Sequence, residues 1–285
     1  MNNFALVLVF VSAFLHATWN LLAKRTEGGA PLVWLYDVIS AILYAPLVVA
    51  IVILQHIDLS PVQIGFILGS GLIHLGYFLF LQRGYRVGDL SLIYPLARGT
   101  GPLLSTTAAI VFLGERPTLI AITGVVLIVT GVFLIAGGPR IFTRAGASRA
   151  VTYGILVGVL IATYTLWDKQ AVSTFLIQPI LFFYGSILVD TILLTPYALR
   201  HWSSVRTEWR AHRLEVGGIA LLSPASYFLV LSALTFAPVS YVAPLRESSV
   251  LIGTIMGTRL LAEGNAKQRI LAVCVMVLGI VALAV

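Results

Sequence analysis

Residues 89–136 read DLSLIYPLARGTGPLLSTTAAIVFLGERPTLIAITGVVLIVTGVFLIA, and this stretch decides the fold class. It contains two long apolar segments separated by the polar turn Gly114-Glu115-Arg116-Pro117. Each segment has about 20 residues, which is enough for an α-helix to cross a hydrocarbon core of ~30 Å at 1.5 Å per residue. The stretch therefore predicts two consecutive transmembrane helices, with the charged Arg98 inside the first of them.

The composition extends this prediction to the whole chain. Of the 285 residues, 59% are hydrophobic and 10% are charged, and the mean hydropathy is +1.00. Soluble domains carry about 25% charged residues, so this is the composition of an integral membrane protein with little mass outside the bilayer. The net charge of +7 comes from basic residues scattered through short connections, which favours membrane orientation over nucleic-acid binding.

The apolar runs, separated mostly by Pro and Gly, predict ten membrane spans. They cover residues 4–23, 32–54, 62–82, 90–112, 118–137, 151–170, 177–198, 214–236, 239–261 and 267–285. Fourteen of the eighteen Lys and Arg residues lie in or beside odd-numbered connections and two in even-numbered ones. The positive-inside rule therefore predicts cytoplasmic odd connections and termini on the opposite side of the inner membrane. The first span lacks a basic leader, so we expect it to be retained rather than cleaved as a signal peptide.

Landmark residues recur along the chain at an offset of 148 to 150 positions. The matched pairs include Trp19 and Trp167, Pro31 and Pro179, Tyr36 and Tyr184, Pro95 and Pro244, Glu115 and Glu263, and Gly131 and Gly279. We therefore expect an all-α membrane protein with a first repeat at 1–138, a connection at 139–150 and a second repeat at 151–285. Five spans per repeat means that the two repeats enter the membrane in opposite senses. Such inverted repeats are typical of alternating-access transporters.

Several polar residues fall at membrane depth and predict a central cavity. His16 and Asn20 share one helix face, as do His74 and Tyr77, because they are four and three positions apart. Aromatic rings would line such a cavity, and an arginine would provide a fixed positive charge for an anionic group. The substrate-binding candidates on these grounds are His16, Trp19, Asn20, His74, Tyr77, Tyr94, Arg98, Tyr164, Trp167, Tyr241 and Arg246.

Several candidates also have a structural interpretation. Trp19 and Trp167 are equally typical of the aromatic belt at the membrane surface, and His74 of helix packing. Arg246 is also placed where a long side chain can extend towards the membrane surface. Arg98 is the hardest to explain structurally, because insertion of an arginine at that depth costs roughly 2.5 to 3.5 kcal/mol.

Three acidic residues are candidates for proton coupling: Asp37, Asp190 and Glu247. A carboxylic acid in a low-dielectric site can carry a proton through a transport cycle. The alternative is an ordinary hydrogen bond between helices. We expect no metal and no cofactor, because the chain has one cysteine and lacks the common nucleotide-binding, zinc and hydrolase motifs. The same absence argues against an enzyme.

The segment LGERPTLIAITGVVLIVTGVFLI, from Leu113 to Ile135, resembles the end of an EamA domain. Together with HATWN in the first span and repeats of about 145 residues, it makes the chain similar to two-EamA members of the drug/metabolite transporter superfamily. The resemblance implies a cavity lined by spans one, three, four, six, eight and nine, which adds Tyr227 to the candidates. It also implies cytosolic termini; the distribution of basic residues predicts the opposite, and we follow the charges.

These observations predict a secondary transporter that moves a small organic metabolite by alternating access. The two membrane arginines favour an anionic or zwitterionic substrate such as an amino acid or organic acid. An exporter of cationic or lipophilic drugs is the second interpretation, although the first span lacks the glutamate that small multidrug transporters use. A membrane enzyme or receptor is the third. Expected partners are a small-molecule substrate and membrane lipid, with no nucleic acid, and the chain is expected to act as a monomer or homodimer.

Overall fold

The computed structural model describes residues 2–26, 28–87, 90–135, 147–260 and 266–284, and this part of the chain is entirely helical apart from short connections. The all-α prediction is therefore confirmed. The helices are α1 (Asn3–Ala23), α2 (Gly29–Gln55), α3 (Pro61–Val87), α4 (Leu90–Leu113), α5 (Leu119–Ile135), α6 (Ala147–Ser173), α7 (Pro179–Arg200), α8 (Trp202–Ala211), α9 (Arg213–Leu234), α10 (Val239–Arg246), α11 (Ser248–Leu260) and α12 (Ala266–Ala284).

Within the described ranges, seven helices are long and apolar enough to cross a membrane: α1, α2, α3, α4, α6, α7 and α9. Two more, α5 and α12, are apolar but shorter. The predicted ninth span is divided between α10 and α11, which meet at Glu247. Pro244 lies one turn before this break, where its missing N–H weakens the helix. Ten crossings, with α10 and α11 forming one of them, remain our prediction.

The two repeats pack around each other with matching contacts. Helix α5 packs against α12, and α2 against α7, so the equivalent helices of the two repeats meet directly. Contacts between other helices also occur in equivalent pairs. Helix α1 packs against α9, and equivalently α6 packs against α3. Helix α4 packs against α6, and equivalently α10 and α11 pack against α1. This is the pattern expected when a two-fold axis relates the repeats.

The direction of the equivalent helices shows that the repeats are inverted. Gly124 of α5 lies against Gly279 of α12, whereas Gly131, further along α5, lies against Ala272, earlier in α12. The two helices are therefore antiparallel. Helices α2 and α7 are antiparallel by the same reasoning. The Trp34 indole N–H donates to the Thr195 hydroxyl, whereas Ala41, further along α2, accepts from Tyr184, which is earlier in α7. Antiparallel equivalent helices place the two-fold axis across the bundle, as an inverted repeat requires.

Gly279 lies where α12 closely approaches α5, and it supports a prediction about packing. A Cβ added at Gly279 would lie 2.8 Å from the carbonyl oxygen of Gly124, whereas one added at Gly65 would have nothing within 4 Å. We therefore expect Gly279→Ala to lower the free energy of unfolding by about 1 to 3 kcal/mol, as overpacking does. Gly65→Ala, the matched control, should be neutral or stabilising. Denaturant unfolding of the purified protein tests this, and equal stability of the two variants would contradict it.

Candidate functional site

A network of hydrogen bonds centres on Asp168, which is completely buried on α6. Its carboxylate accepts hydrogen bonds from the Ser70 hydroxyl at 2.8 Å and from the Tyr227 hydroxyl at 2.5 Å. The His74 Nε2 atom lies 3.8 Å from the same carboxylate. We call Ser70, His74, Asp168 and Tyr227 the Asp168 network. It joins α3, α6 and α9 in the interior of the bundle.

Aromatic rings surround the Asp168 network. The His74 imidazole stacks on the ring of Tyr164 with centroids 4.4 Å apart, and Tyr77 meets the same ring edge-on at 5.8 Å. Phe183 of α7 packs against Tyr227 at 4.6 Å. Helices α3, α6, α7 and α9 thus contribute to one aromatic wall, of the kind that binds small organic molecules.

A second network centres on Arg98, which is 7% exposed. Its guanidinium lies 3.4 Å from the Glu247 carboxylate and 2.6 Å from the His16 Nε2 atom. Because a guanidinium can only donate hydrogen bonds, His16 Nε2 is the acceptor and carries no proton. We call His16, Arg98 and Glu247 the Arg98 network. It joins α1, α4 and the junction between α10 and α11.

Arg246 lies between the two networks, at the C-terminal end of α10. Its guanidinium is 5.2 Å from the centroid of the Tyr227 ring, a cation–π arrangement. It also interacts electrostatically with Asp168, Arg98 and Glu247. Within the described residues, no carboxylate comes within ion-pair distance of Arg246. The guanidinium of Arg246 thus contacts an aromatic ring and forms no ion pair with these carboxylates.

Three buried polar atoms of the surrounding helices have no hydrogen-bond partner among the described residues: Glu247 Oε2, Ser248 Oγ and Trp19 Nε1, whose ring packs against His16. Ser248 begins α11, so two of the three lie where the helix is broken. Buried polar atoms are normally paired, so side-chain atoms without a partner are available to a bound molecule. This arrangement offers both donors and acceptors to a bound molecule.

A family model of the EamA-like transporter family matches residues 3–137 and 148–285, which is nearly the whole chain. The chain belongs to the EamA-like transporter family. A search of curated proteins found no match. Among solved structures, one described as "Crystal structure of protein" is similar with a TM-score of 0.78 and 16% sequence identity, over 99% of this chain and 98% of that one. At this identity the likeness shows the fold alone. The membrane-protein class and the EamA resemblance predicted from the sequence are confirmed.

Three of the predicted residues use their hydrogen-bonding groups for packing in this EamA-like protein. The Trp167 indole N–H donates to the Phe66 carbonyl at 2.8 Å, and its ring lies over Gly69. Asn20 donates at 2.7 Å to the carbonyl of the residue one turn earlier in α1. The Tyr241 hydroxyl accepts a bond of 3.5 Å from the backbone of the α4–α5 connection. The Tyr94 side chain lies outside the described residues.

Ser70, Asp168 and Phe183 belong to the site but were not among the binding residues predicted from the sequence. Ser70 lies four residues before His74, so it shares the helix face that was already singled out. Asp168 is among the polar residues that the sequence places at membrane depth in the sixth span, but only its neighbours Tyr164 and Trp167 were taken as binding candidates. No feature of the sequence distinguishes Phe183 from the other phenylalanines of the apolar helices.

The connection between α9 and α10 is held by two charged residues from other helices. The Glu115 carboxylate accepts hydrogen bonds from the backbone N–H groups of Val239 at 2.7 Å and Ser240 at 2.8 Å. The Lys169 ammonium donates to the carbonyls of Leu234 at 2.7 Å and Ala237 at 3.1 Å. An acid thus caps the start of α10 and a base the end of α9, which is the favourable direction for both helix dipoles. Sequence analysis identified the turn that contains Glu115 but gave this residue no role.

A surface cavity of about 230 Å³ lies at the opposite end of the bundle, between the start of α2 and α8. It is lined by Gly28, Pro31, Ser203, Ser204, Thr207 and Glu208. The residues of the two networks do not line it. We assign the candidate site to the networks because the buried charges and the unpartnered polar atoms are there. No group of three or more metal-ligating side chains occurs within the described ranges.

Proposed function

We propose that this protein is a secondary transporter that moves a small zwitterionic or anionic metabolite across the inner membrane by alternating access. The observation that carries the proposal is the set of unpartnered polar atoms at the α10–α11 break, beside the charge of Arg246. A site at the meeting point of two inverted repeats is accessible to either side when the repeats rock against each other.

The charges around the break favour a substrate with both signs. Arg98 is engaged by Glu247, so Arg246 is the better anchor for a carboxylate or phosphate group. The Oε2 atom of Glu247, which accepts no hydrogen bond within the described residues, suits a substrate ammonium or other donor. The rings of Tyr164 and Tyr227 would contact the apolar part. An amino acid or a similar compound satisfies all three requirements.

The alternative of a cationic drug exporter has less support. Among the described acids of the two networks, a cationic substrate has only the unpartnered oxygen of Glu247 to bind, and it would bring a second positive charge close to Arg246. Asp168 accepts two hydroxyl hydrogen bonds and lies near His74, while Glu247 is paired with Arg98. A non-transporting enzyme or receptor gains nothing from an inverted repeat, whereas alternating access uses it directly.

The proposal includes the orientation and partners expected from the sequence. Odd-numbered connections face the cytoplasm, the substrate is a small molecule, and lipid surrounds a monomer or homodimer. Under this orientation the α2–α8 cavity lies on the cytoplasmic side and Glu115 on the other side.

Thermal unfolding against a panel of amino acids, organic acids, phosphonates, sugars and cationic drugs tests the proposed function. A ligand at a hundredfold excess over its dissociation constant should stabilise the protein by about 2.7 kcal/mol, and we expect this from zwitterionic or anionic compounds. Arg246→Gln should abolish the stabilisation, because the substrate loses its anchor. Arg210→Gln, which changes an exposed arginine of α8, should retain it. Stabilisation by cationic drugs that survives Arg246→Gln would contradict the proposal.

A further inference from the structure

Two aspartates outside both networks face the interior from α2 and α7. Asp37 is three residues after Trp34 and four before Ala41, and both of these contact α7. Asp190 is seven residues after Phe183, whose ring packs against α9, so the two share a helix face. The helix periodicity thus directs both carboxylates towards the space enclosed by α2, α7 and α9.

Neither carboxylate is neutralised by a neighbour. Asp37 is 6% exposed, and its Oδ2 atom and the Oδ1 atom of Asp190 are buried without a hydrogen-bond partner in the part of the chain that the structure describes. The two groups interact electrostatically with each other and with Tyr36 of α2, which in turn interacts with Tyr77 of α3. No Lys, Arg or His among the described residues pairs with either.

Two like charges in an apolar interior without a cation are strongly unfavourable. A bound proton removes one charge and supplies a donor for an unpartnered oxygen, so it resolves both problems at once. A metal ion would require several more oxygen ligands, and the described residues contain no group of three or more metal-ligating side chains. The chemistry of the pair therefore suits a proton.

The acids of the two networks, Glu247 and Asp168, do not share this property. Glu247 is paired with Arg98, and Asp168 accepts hydrogen bonds from Ser70 and Tyr227. Of the three acids proposed for proton coupling from the sequence, Glu247 is thus paired with an arginine, whereas no described arginine pairs with Asp37 or Asp190.

We propose that Asp37 and Asp190 form a proton-binding site, distinct from the substrate site, that binds one proton from water and releases it to water during each transport cycle. Binding forms an O–H bond on one carboxylate oxygen, and release returns the proton to solvent. The binding of the proton is independent of the proposed function, whereas its coupling to a substrate rests on that function.

Infrared spectroscopy of the full chain in lipid bilayers tests proton binding without any substrate. We expect a carboxylic-acid C=O band at neutral pH that disappears reversibly on raising the pH, and that is absent from the double variant Asp37→Asn with Asp190→Asn. Asp58→Asn, which changes an exposed aspartate, should retain the band. Persistence of the band in the double variant would overturn the proposal. So would its loss from the wild type on addition of Na⁺ at constant pH, because the pair would then bind a metal cation.

Coupling is tested in proteoliposomes with a ligand found in the thermal panel. The double variant should lose accumulation driven by a pH gradient, at least tenfold, but retain exchange of labelled for unlabelled ligand at equal pH. Retained gradient-driven accumulation would overturn the coupling role. Loss of exchange as well, in a variant that melts like the wild type, would overturn the separation of the two sites. If the wild type moves no ligand at all, the proposed function fails, while the infrared result still decides proton binding.

Discussion

Arg98→Ala is expected to lower the free energy of unfolding by about 3 to 5 kcal/mol, because it leaves the buried Glu247 carboxylate without the guanidinium that pairs with it. The imidazole of His16 loses its donor at the same time. Unfolding of the purified protein by a denaturing detergent, followed by circular dichroism, measures this loss. A variant that unfolds like the wild type would contradict the structural role of the pair.

A double variant separates the stability of this pair from its contribution to function. Arg98→Met with Glu247→Gln removes both charges while it keeps similar side-chain volumes, so most of the lost stability should return. Ligand-induced stabilisation should nevertheless be absent, because the carboxylate oxygen Oε2 of Glu247 that would accept from the substrate is replaced. If the double variant is as unstable as Arg98→Ala, the cost does not come from an unpaired glutamate.

The architecture was largely predictable from the sequence because the membrane simplifies the problem. A span must be long, apolar and helical, so composition alone gave the all-α class. The recurrence of landmark residues at an offset of 148 predicted the inverted repeat, and it paired Gly131 with Gly279 from the sequence alone. In the structure these two glycines occupy equivalent places in the crossing of α5 and α12.

The site was predictable to the level of residues but not of partners. Arg98 and His74 were identified because polar atoms at membrane depth are costly and need a reason, and Tyr227 was added by the family resemblance. The pairing of Arg98 with Glu247 spans 149 residues and depends on how α4 and α10 are rotated about their own axes. Single-helix periodicity fixes neither rotation. For the same reason it placed Trp167 among the binding residues, although its indole bonds to a backbone carbonyl on α3.

The break at Glu247 shows the other limit of sequence analysis. Pro244 indicates a weak point in the ninth predicted span, but Pro102 and Pro224 lie inside α4 and α9, which continue past them. The ninth span differs in its tertiary contacts. Its first half, α10, is bonded to Glu115 at its start, and Arg246 at its end contacts the Tyr227 ring. A short helix held at both ends can separate from the segment that follows.

Glu115→Ala is expected to lower the free energy of unfolding by about 1.5 to 3 kcal/mol and to loosen the start of α10. The carboxylate accepts two backbone hydrogen bonds there, and bonds to a charged group are worth about that much. Loosening is measured by labelling: in a Cys274→Ala background, Ser240→Cys should react faster with a membrane-impermeant maleimide when Glu115 is replaced. Ser240 is completely buried, so labelling reports opening of this end of the bundle.

Arg116→Ala is the matched control, because Arg116 belongs to the same turn and its side chain is exposed. It should change stability by less than about 0.5 kcal/mol and leave the labelling rate as it is. Equal labelling in the two variants would mean that Glu115 does not hold this end closed. A faster rate with Glu115→Ala alone would mean that the acid of the family turn closes one end of the pathway. The connection between α9 and α10 would then be an element that must move when the repeats rock.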